Sequence, residues 1–573
     1  MPLLCPLLRP LLHLLSSSFT SSSFPFILLA AFVVFITLRS LAPSRGDALN
    51  SPFRSPKVGT PVSEPALKAP GAAVSSGDAH RWKALVFIAL AQLMVVLDAT
   101  IVNIALPSAQ HDLGISDGNR QWVVTAYALA FGGLLLFGGR IADLWGRRRA
   151  FVLGLAGFAV ASALGGAATN GPMMFGARAL QGVFGALLAP AALSLLAVMF
   201  TDAKERAKAF GIYGAIAGGG GAVGLILGGF LTEYLDWRWT FFVNVPFAIV
   251  AAAGAYFVIR EPQGGRNRSP LDIPGVVLST LGLVALVYGF TRAESDGWGD
   301  AVTVAMFVAS TVLLFAFVVV ESRMRAPLLP LRVVRNRSRG GIYLSLGLAI
   351  IGMFGLFLFL TYYLQVVKGY LPVKTGFAFL PMVVGMITGS TQIGARLMTR
   401  VRARLLMGPG FLVAGLGMLL LTQLQIDSSY AALLLPAMLL LGLGMGSAFM
   451  PAMSLATQGV QPKDAGVASA MVNTSQQVGG AIGTALLNTI AASAKTSYIN
   501  GHAAGAVTKP QQQLIQLQGM VHGYSTAIWF AVGILGLAAL IAFTFVNAGR
   551  PGSLPVASGE DVEDEVKVPV VAH

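Results

Sequence analysis

Fourteen long apolar stretches, separated by short polar breaks, constrain this chain more than any other feature. Each is close to the ~20 residues that an α-helix needs to cross the hydrocarbon core of a membrane. They predict membrane helices at 84–106, 122–142, 150–168, 173–198, 209–231, 240–259, 274–291, 301–320, 341–364, 375–397, 404–423, 431–454, 466–490 and 524–547. Only 11% of the 573 residues are charged, against about a quarter in soluble proteins. We therefore predict an all-α, polytopic membrane protein.

Basic residues near the ends of these stretches are distributed asymmetrically. If the chain just before residue 84 is cytoplasmic, the segments on that side carry 24 Lys and Arg residues and those on the other side carry 7. Cytoplasmic loops are enriched in Lys and Arg. This bias predicts a plasma-membrane protein with both ends of its helical core in the cytoplasm, and it explains the net charge of +15 without a nucleic-acid partner.

Two short repeats divide the chain into similar halves. Residues 138–148 match 394–404, a shift of 256, and residues 185–190 match 446–451, a shift of 261. Chance matching is the alternative, because each match is short. The similar shifts predict two six-helix bundles with two inserted helices, and parallel halves of this kind occur in transporters. The predicted units are an N-terminal bundle, the inserted pair with its linker, a C-terminal bundle and a cytoplasmic tail, at 84–259, 260–340, 341–547 and 548–573.

Residues 1–83 do not follow this pattern. The apolar stretch 24–38 is short for a membrane span, and no clear cleavage site follows it. The Pro-, Ser- and Ala-rich segment after it has a composition typical of disorder. Three interpretations remain: a start codon assigned too early, an interfacial or signal-like helix, and an additional span.

The sequence does not show the patterns expected of an enzyme or a metal protein. Cys5 is the only cysteine, which excludes an intramolecular disulfide and a Cys-based metal site. A Gly-rich phosphate loop and a Ser/His/Asp arrangement are also missing. We predict no catalytic activity, no metal and no cofactor.

Two ionisable residues lie inside the predicted spans of the first half. Asp98 lies ~12 Å from the outer end of the first span, and Arg178 lies ~9 Å inside the fourth, at 1.5 Å per residue. A charged side chain at mid-membrane costs ~2.5–3.5 kcal/mol unless it is paired or hydrated, so such residues indicate function. We expect Asp98 to exchange protons and Arg178 to favour its charged form. A static ion pair between two helices is the alternative.

The turn between the second and third predicted helices combines glycines with arginines. Glycine permits a tight turn, and arginines favour the inner lipid headgroups. Asp143 is an acid among these arginines, and we predict that it caps the start of the thirteenth helix at 464–466. Neutralisation within its own loop is the alternative role. The predicted cytoplasmic gate consists of Gly139, Asp143, Gly146, Arg147 and Arg148.

The fifth span and the second half suggest a helix interface and a cavity. Glycines at four-residue spacing allow close approach of a neighbouring helix, and the predicted interface is Gly220, Gly224, Gly228 and Gly229. Spans of the second half contain no acid but offer aromatic, Met and neutral polar side chains, which suit bulky amphipathic compounds. The predicted cavity residues are Tyr127, Tyr362, Tyr363, Asn473, Gln476 and Gln477; simple helix packing is the alternative for each.

Several segments, in order, resemble the fourteen-helix drug:proton antiporters of the major facilitator superfamily. They are Leu97–Pro107, the 139–149 turn, Arg178–Gly182, the glycines of the fifth span, 236–246, 363–369 and 473–480. The resemblance covers about 84–547. It implies the major facilitator fold and export of hydrophobic drugs or antibiotics by alternating access, driven by the proton gradient without a cofactor. It also implies that Asp98 and Arg178 take part in proton coupling, and we expect a monomer in the bilayer.

Two departures from that family pattern bear on function. Leu225 follows Gly224 where the family's fifth helix usually has Pro, so a bend associated with antiport is missing. The second half has no acid of the kind that serves divalent cations, so we expect monovalent, neutral or anionic substrates. The alternative functions are a dedicated exporter of one endogenous metabolite and a non-transporting membrane sensor.

Overall fold

The computed structural model describes residues 78–200, 203–259, 272–324, 327, 329, 331–398, 400–457, 465–502 and 508–547. The predictions for residues 1–77 and for the C-terminal tail lie outside these residues. The first helix begins at Asp78, inside the segment 1–83 that the sequence assigned to an N-terminal extension. The other predicted domain boundaries remain predictions.

Fourteen long helical elements form the described chain, which contains no strand. The first half contains α1 (Asp78–Asp112), α2 (Trp122–Trp145), α3 (Arg147–Gly166), α4 (Gly171–Met199), α5 (Ala203–Tyr234) and α6 (Asn244–Val258). The inserted pair is α7 (Ile273–Ser295) and α8 (Ala301–Arg323). The second half contains α9 (Arg337–Tyr362), α10 in two parts (Pro372–Ala378 and Leu380–Thr388), α11 (Arg404–Leu421), α12 (Leu435–Thr457), α13 (Ala465–His502) and α14 (Lys509–Phe545).

These helices confirm the predicted all-α membrane architecture. Within the described residues, twelve helices are long and apolar enough to cross a membrane. The elements α5 and α13, with 32 and 38 residues, are long enough as well. Each of the fourteen predicted spans therefore corresponds to one helical element.

The last two helices are longer than the sequence predicted. Helices α13 and α14 contain 38 and 37 residues, or ~55 Å each at 1.5 Å per residue, whereas the hydrocarbon core is about 30 Å thick. They continue to pack beyond their apolar parts: the Tyr498 ring lies 4.1 Å from His502 and 5.0 Å from His522. Hydropathy identifies only the part of a helix that suits lipid, so the polar extension was missed.

Helix α10 is less regular than the continuous span predicted at 375–397. It is interrupted at Phe379 and continues as π-helical turns over Gly389–Ala395. Pro381, near the start of the second part, has no N–H to donate to the preceding turn. Turns of the π type often occur at functional sites.

The contact between the second and fourth helices of the first half occurs again at the equivalent residues of the second half. A Cβ atom added to Gly138 of α2 would lie 2.1 Å from the carbonyl oxygen of Ala186 on α4. The repeat aligns Gly138 with Gly394 and Ala186 with Ser447. A Cβ added to Gly394 would lie 3.5 Å from the carbonyl oxygen of Ser447 and 3.1 Å from Met450 Cβ. The second and fourth helices of each half therefore meet at equivalent residues, which supports the interpretation as two similar halves.

The inserted pair lies beside the place where the two halves meet. The Gln121 side chain, just before α2, donates to the Thr291 hydroxyl of α7 at 3.1 Å. The Thr489 hydroxyl of α13 donates to the Phe290 carbonyl of α7 at 2.9 Å. Helix α7 thus bonds to a helix of each half.

Replacing Gly138 with alanine is expected to destabilise the first half. The added methyl group would overlap the α4 backbone, so the helices must separate, at a cost of about 1–3 kcal/mol. We expect a lower unfolding midpoint for the purified Gly138→Ala protein in a thermal scan followed by tryptophan fluorescence.

Gly176→Ala is the matched control for this experiment. A Cβ added to Gly176, on α4, has no atom within 4 Å, and alanine favours helix over glycine. Equal midpoints for the two variants would show that α2 and α4 do not make this close contact.

Candidate functional site

A buried ion pair joins α1 and α4 inside the first half. The Arg178 guanidinium donates from Nη1 to Asp98 Oδ2 at 2.6 Å. Asp98 is 0% exposed and Arg178 is 1% exposed. The sequence predicted that these two groups lie at similar depth, and the structure places them in direct contact.

Two amide side chains complete the hydrogen bonding of the Asp98 carboxylate. Gln181 Nε2 and Asn244 Nδ2 each donate to Asp98 Oδ1 at 2.8 Å, and Gln181 Nε2 also contacts Ser162 Oγ at 2.8 Å. Removing two charges from water is costly unless their remaining hydrogen-bonding positions are filled. The Asp98 carboxylate on α1 meets that condition, because α4 and α6 supply donors to both of its oxygens.

Sequence analysis assigned no role to these supporting side chains. Gln181 lies three residues after Arg178, and side chains at that spacing share one face of a helix. Asn244 is an amide within an apolar span. Both patterns pointed to a polar cluster, whereas Ser162 gave no comparable signal.

The rest of the Arg178 side chain contacts α2 and an aromatic pair. Its Nε donates to the Val123 carbonyl at 2.8 Å. Its guanidinium carbon lies 4.4 Å from the centre of the Tyr127 ring and 5.9 Å from that of Phe241, where the ring faces attract a cation. Movement of Arg178 would therefore change contacts with α1, with α2 and with the segment just before α6.

Glycines of α5 allow α1 to approach closely beside Asp98. An added Cβ would lie 1.9 Å from Thr100 Oγ1 at Gly224, 2.9 Å from Ile101 Cα at Gly228 and 3.1 Å from Val96 at Gly220. Three of the four predicted interface glycines thus face α1 on either side of Asp98.

The fourth glycine faces the second half instead. A Cβ added to Gly229 would lie 2.7 Å from the Pro372 carbonyl oxygen at the start of α10. The neighbouring Leu225 is 1% exposed, and its carbonyl oxygen would lie 2.4 Å from a Cβ on Gly376 of α10. Leu225, which replaces the family's usual proline, therefore lies in the contact between halves; its effect on antiport stays a prediction.

The predicted gate is built around a one-residue turn. Gly146 alone connects α2 to α3, with φ of 104°, a conformation that glycine adopts without strain. Arg148 donates to the Tyr256 carbonyl at the end of α6. A Cβ atom added to Gly139 would lie 3.5 Å from Pro190 Cβ on α4. Arg147 also has an interaction partner. Both arginines therefore interact with other residues of the protein, in addition to the lipid headgroups that the sequence predicted.

The predicted cap by Asp143 lies outside the described residues. Asp143 belongs to α2, but its side chain is not among those described, and neither is Asp464. Its role as a gate residue therefore stays a prediction.

The six predicted cavity residues occupy different places. Tyr127 lies in the core of the first half, under Arg178. The Tyr363 hydroxyl donates to the Gln425 carbonyl at 2.6 Å within the second half. Tyr362 instead reaches across to the first half and bonds to Gln110. The structure does not collect these three tyrosines in one place.

The other three predicted cavity residues share one stretch of α13. Gln477 faces α2, since a Cβ added to Gly132 would lie 2.7 Å from its Cβ. Gln476 Nε2 lies 3.9 Å from Met453 Sδ, and Asn473 is half-buried with an interaction partner. Of the six, Gln477 most directly borders the contact between the halves; substrate binding by any of them stays a prediction.

At one end of the molecule the two halves are joined by polar contacts. We call this end, marked by the 113–121 loop, the Asp117 face, and the opposite end, with the α2–α3 turn, the Arg147 face. Lys495 Nζ of α13 lies 2.6 Å from Asp117 Oδ2. The contacts that accompany this salt bridge are Arg120 Nε to Asn488 Oδ1 at 3.2 Å, Gln365 Nε2 to the Ile104 carbonyl at 2.9 Å and the Val373 N–H to Glu233 Oε2 at 2.9 Å.

The charges around Asp117 favour its ionised form. Burial acts to raise the pKa of Asp117, but the positive charges of Arg120 and Lys495 outweigh it and hold that pKa below its ordinary value of 3.8. Arg120 is itself buried, and its guanidinium carbon lies 4.0 Å from the centre of the Tyr362 ring. The Asp117 face is therefore closed by a charged network that persists at neutral pH.

Known proteins with similar sequences are membrane transporters. The chain is 53% identical over 485 residues to the puromycin resistance protein pur8 of Streptomyces alboniger, covering 84% of this chain and 95% of that protein. It is 40% identical to the cephamycin export protein CmcT of Amycolatopsis lactamdurans, covering 72% of this chain and 85% of that protein.

Solved structures show the same fold at lower identity. The crystal structure of a bacterial homologue of the human lysosomal transporter Spinster covers 81% of this chain and 96% of its own, with a TM-score of 0.58 and 16% identity. The family model described as Major Facilitator Superfamily matches residues 88–484. The predicted resemblance is confirmed: the chain belongs to the major facilitator superfamily and is a multi-pass membrane transporter rather than an enzyme.

Proposed function

We propose that this transporter exports hydrophobic antibiotics or drugs in exchange for protons, by alternating access and without a cofactor. The Asp98 carboxylate carries the proposal, since it is an acid at membrane depth held by one cation and two amides. Ionisable residues inside membrane helices commonly mark proton relays. Antibiotic export and resistance by similar proteins support the substrate class.

Protonation of Asp98 would change the contacts of three helices. A neutral carboxyl group attracts Arg178 less strongly, and it provides a donor where Gln181 and Asn244 now direct their N–H groups. Breaking a buried ion pair costs about 3–5 kcal/mol when one charge stays uncompensated. Arg178 would therefore need another partner, and the packing of α4 against α1 and α6 would differ between the two protonation states.

The proposed orientation places the Arg147 face in the cytoplasm. The excess of Lys and Arg in the segments on that side supports it, as does the cluster Arg147, Arg148 and Arg149 at the start of α3. The Asp117 face then lies outside the plasma membrane, so the state described is closed to the exterior. The proposed transporter works as a monomer.

Dedicated export of one endogenous compound is the second candidate. Two similar proteins are named for a single antibiotic, puromycin in one and cephamycin in the other. A compound panel therefore has to separate broad from narrow specificity.

Substitution of Asp98 by asparagine is expected to abolish proton exchange. The amide keeps the size of the side chain but cannot bind and release a proton near neutral pH. In everted membrane vesicles with an acidic lumen, adding a transported compound to the wild type should raise the lumenal pH. The same addition to Asp98→Asn vesicles should leave the lumenal pH unchanged. A panel of lipophilic dyes and antibiotics is added one compound at a time.

Asp427→Asn serves as the matched control, because Asp427 is exposed in the short connection between α11 and α12. Comparable amounts of each variant in the membrane are verified by immunoblotting. Full proton exchange by Asp98→Asn would remove Asp98 from the coupling role. A response to one compound alone would favour the dedicated exporter, and a response to many would favour multidrug export.

Loss of the Lys495 charge is expected to open the Asp117 face more often. A partly exposed ion pair contributes about 0.2–1 kcal/mol, so Lys495→Ala should raise the open-to-closed ratio by about 1.4- to 5-fold. Spin labels at the exposed residues His111 and Leu371 report this opening as a longer distance between the halves. The background is Cys5→Ser, since Cys5 is the only native cysteine.

The matched control is Lys509→Ala, which removes an exposed lysine at the start of α14. An unchanged distance distribution in Lys495→Ala, with the control also unchanged, would show that the salt bridge to Asp117 does not hold the halves together.

Closure of the Asp117 face is expected to withstand mild acid. The pKa of Asp117 is lowered from its ordinary value of 3.8, so its ionised form stabilises the closed state above that value. This stabilisation is lost only as the pH falls through the lowered pKa. With Asp98→Asn as the background, which removes the proposed coupling proton, the spin-label distances should therefore stay constant between about pH 5 and pH 8 and lengthen only in stronger acid. Opening at pH 5 would contradict the assignment of Asp117 as the controlling acid.

A further inference from the structure

A second group of carboxyl oxygens lies where α7 begins and α8 ends, toward the Arg147 face. Asp272 immediately precedes α7, and its Oδ1 accepts a hydrogen bond from the Gly275 N–H at 2.9 Å. Glu321 lies in the last turn of α8. Each residue is only 3% exposed, and neither has a role in the function proposed above.

The other oxygens of the two side chains converge above Gly275. A Cβ added to Gly275 would lie 2.6 Å from Asp272 Oδ2 and also 2.6 Å from Glu321 Oε1. Any larger residue at this position would occupy the space into which both oxygens project. Both oxygens would lie in contact with the same added atom, so the two carboxyl groups are neighbours in the structure.

Within the described residues, no donor is available to Glu321 Oε1. The other oxygen, Oε2, accepts from the Leu329 N–H at 3.0 Å, whereas Oε1 is buried without a hydrogen-bond partner. Ionised carboxylates can only accept hydrogen bonds. Two ionised groups in this position would leave Oε1 buried, unsatisfied and beside a like charge, which is strongly unfavourable.

One positive side chain faces the pair from the first half. Arg140, on α2, acts electrostatically on Glu321 and donates to the Pro327 carbonyl at 3.3 Å. This guanidinium favours a remaining negative charge on the pair. A pair that carries one proton would therefore satisfy Glu321 Oε1 and keep one negative charge near Arg140, whereas a doubly ionised pair would leave Oε1 without a donor.

We propose that Asp272 and Glu321 share one bound proton and form a second proton-binding site, on the inserted helices. The proton lies between Glu321 Oε1 and Asp272 Oδ2, where one carboxyl group donates and the other accepts. Because Arg140 precedes the Gly146 turn by less than two helical turns, the charge of this pair acts on the end of α2 that carries the predicted gate. The site is independent of Asp98.

Infrared spectroscopy of the purified, reconstituted full-length protein tests this site. At neutral pH the wild type should show the carbonyl-stretching band of a protonated carboxyl group, displaced in D2O. Difference spectra should show that Glu321→Gln and Asp272→Asn each remove the same band. In either variant the new amide supplies the missing N–H donor, so the remaining carboxyl group ionises.

Three further measurements keep the result specific. Asp272→Asn retains a residue that caps helix N-termini well, so a folded protein, verified by gel filtration, is expected. Asp296→Asn, which changes an exposed acid at the other end of α7, should keep the band. Asp98→Asn should also keep it, which separates this site from the proposed coupling site.

Two outcomes would overturn the proposal. One is a wild-type spectrum without a protonated-carboxyl band at neutral pH. The other is a band that survives in both Glu321→Gln and Asp272→Asn while both proteins remain folded.

Discussion

The cost of a buried charge determines how the first half is assembled. Asp98 is costly to place at membrane depth as an ion unless both of its carboxylate oxygens find donors. Those donors come from α4, through Arg178 and Gln181, and from α6, through Asn244. The positions of three helices are thereby fixed around one carboxylate. The glycines of α5 add a fourth helix, since only residues without a side chain let α1 approach so closely at Gly224 and Gly228.

Both members of the ion pair belong to one half, which restricts how they can affect transport. A change in charge at Asp98 does not itself join or separate the halves. It has to be transmitted through α1 and α5 to α10, which α5 meets at Gly229 and Leu225. The backbone contacts there are close enough that a small shift or rotation of α5 would alter them. The first part of α10, which is interrupted at Phe379, forms the second half's side of this contact.

Much of this arrangement was predictable from the sequence. Hydropathy located all fourteen helices, and the depth of Asp98 and Arg178 followed from their positions within two spans. Three features were not predicted. The pairing of Gln181 and Asn244 with Asp98 depends on which faces of three helices meet, although both residues are polar side chains within apolar spans. Glu321 lies one residue beyond the predicted span 301–320, whereas α8 continues to Arg323 and buries it. The polar ends of α13 and α14 are not continuously apolar, so hydropathy did not include them in a span.

The length of α13 and α14 has a practical consequence. Both helices extend well past the thickness of a bilayer and remain packed, with Gly519 against Ile499 and Gly523 against the Ala491 backbone. Most of a small transporter is hidden in its detergent belt, so particle images offer few features for alignment. A paired helical projection on one side of the membrane supplies such a feature. It also offers an attachment surface for an antibody fragment away from the Asp98 site, so that each protonation state can be imaged without obstructing the helices around Asp98.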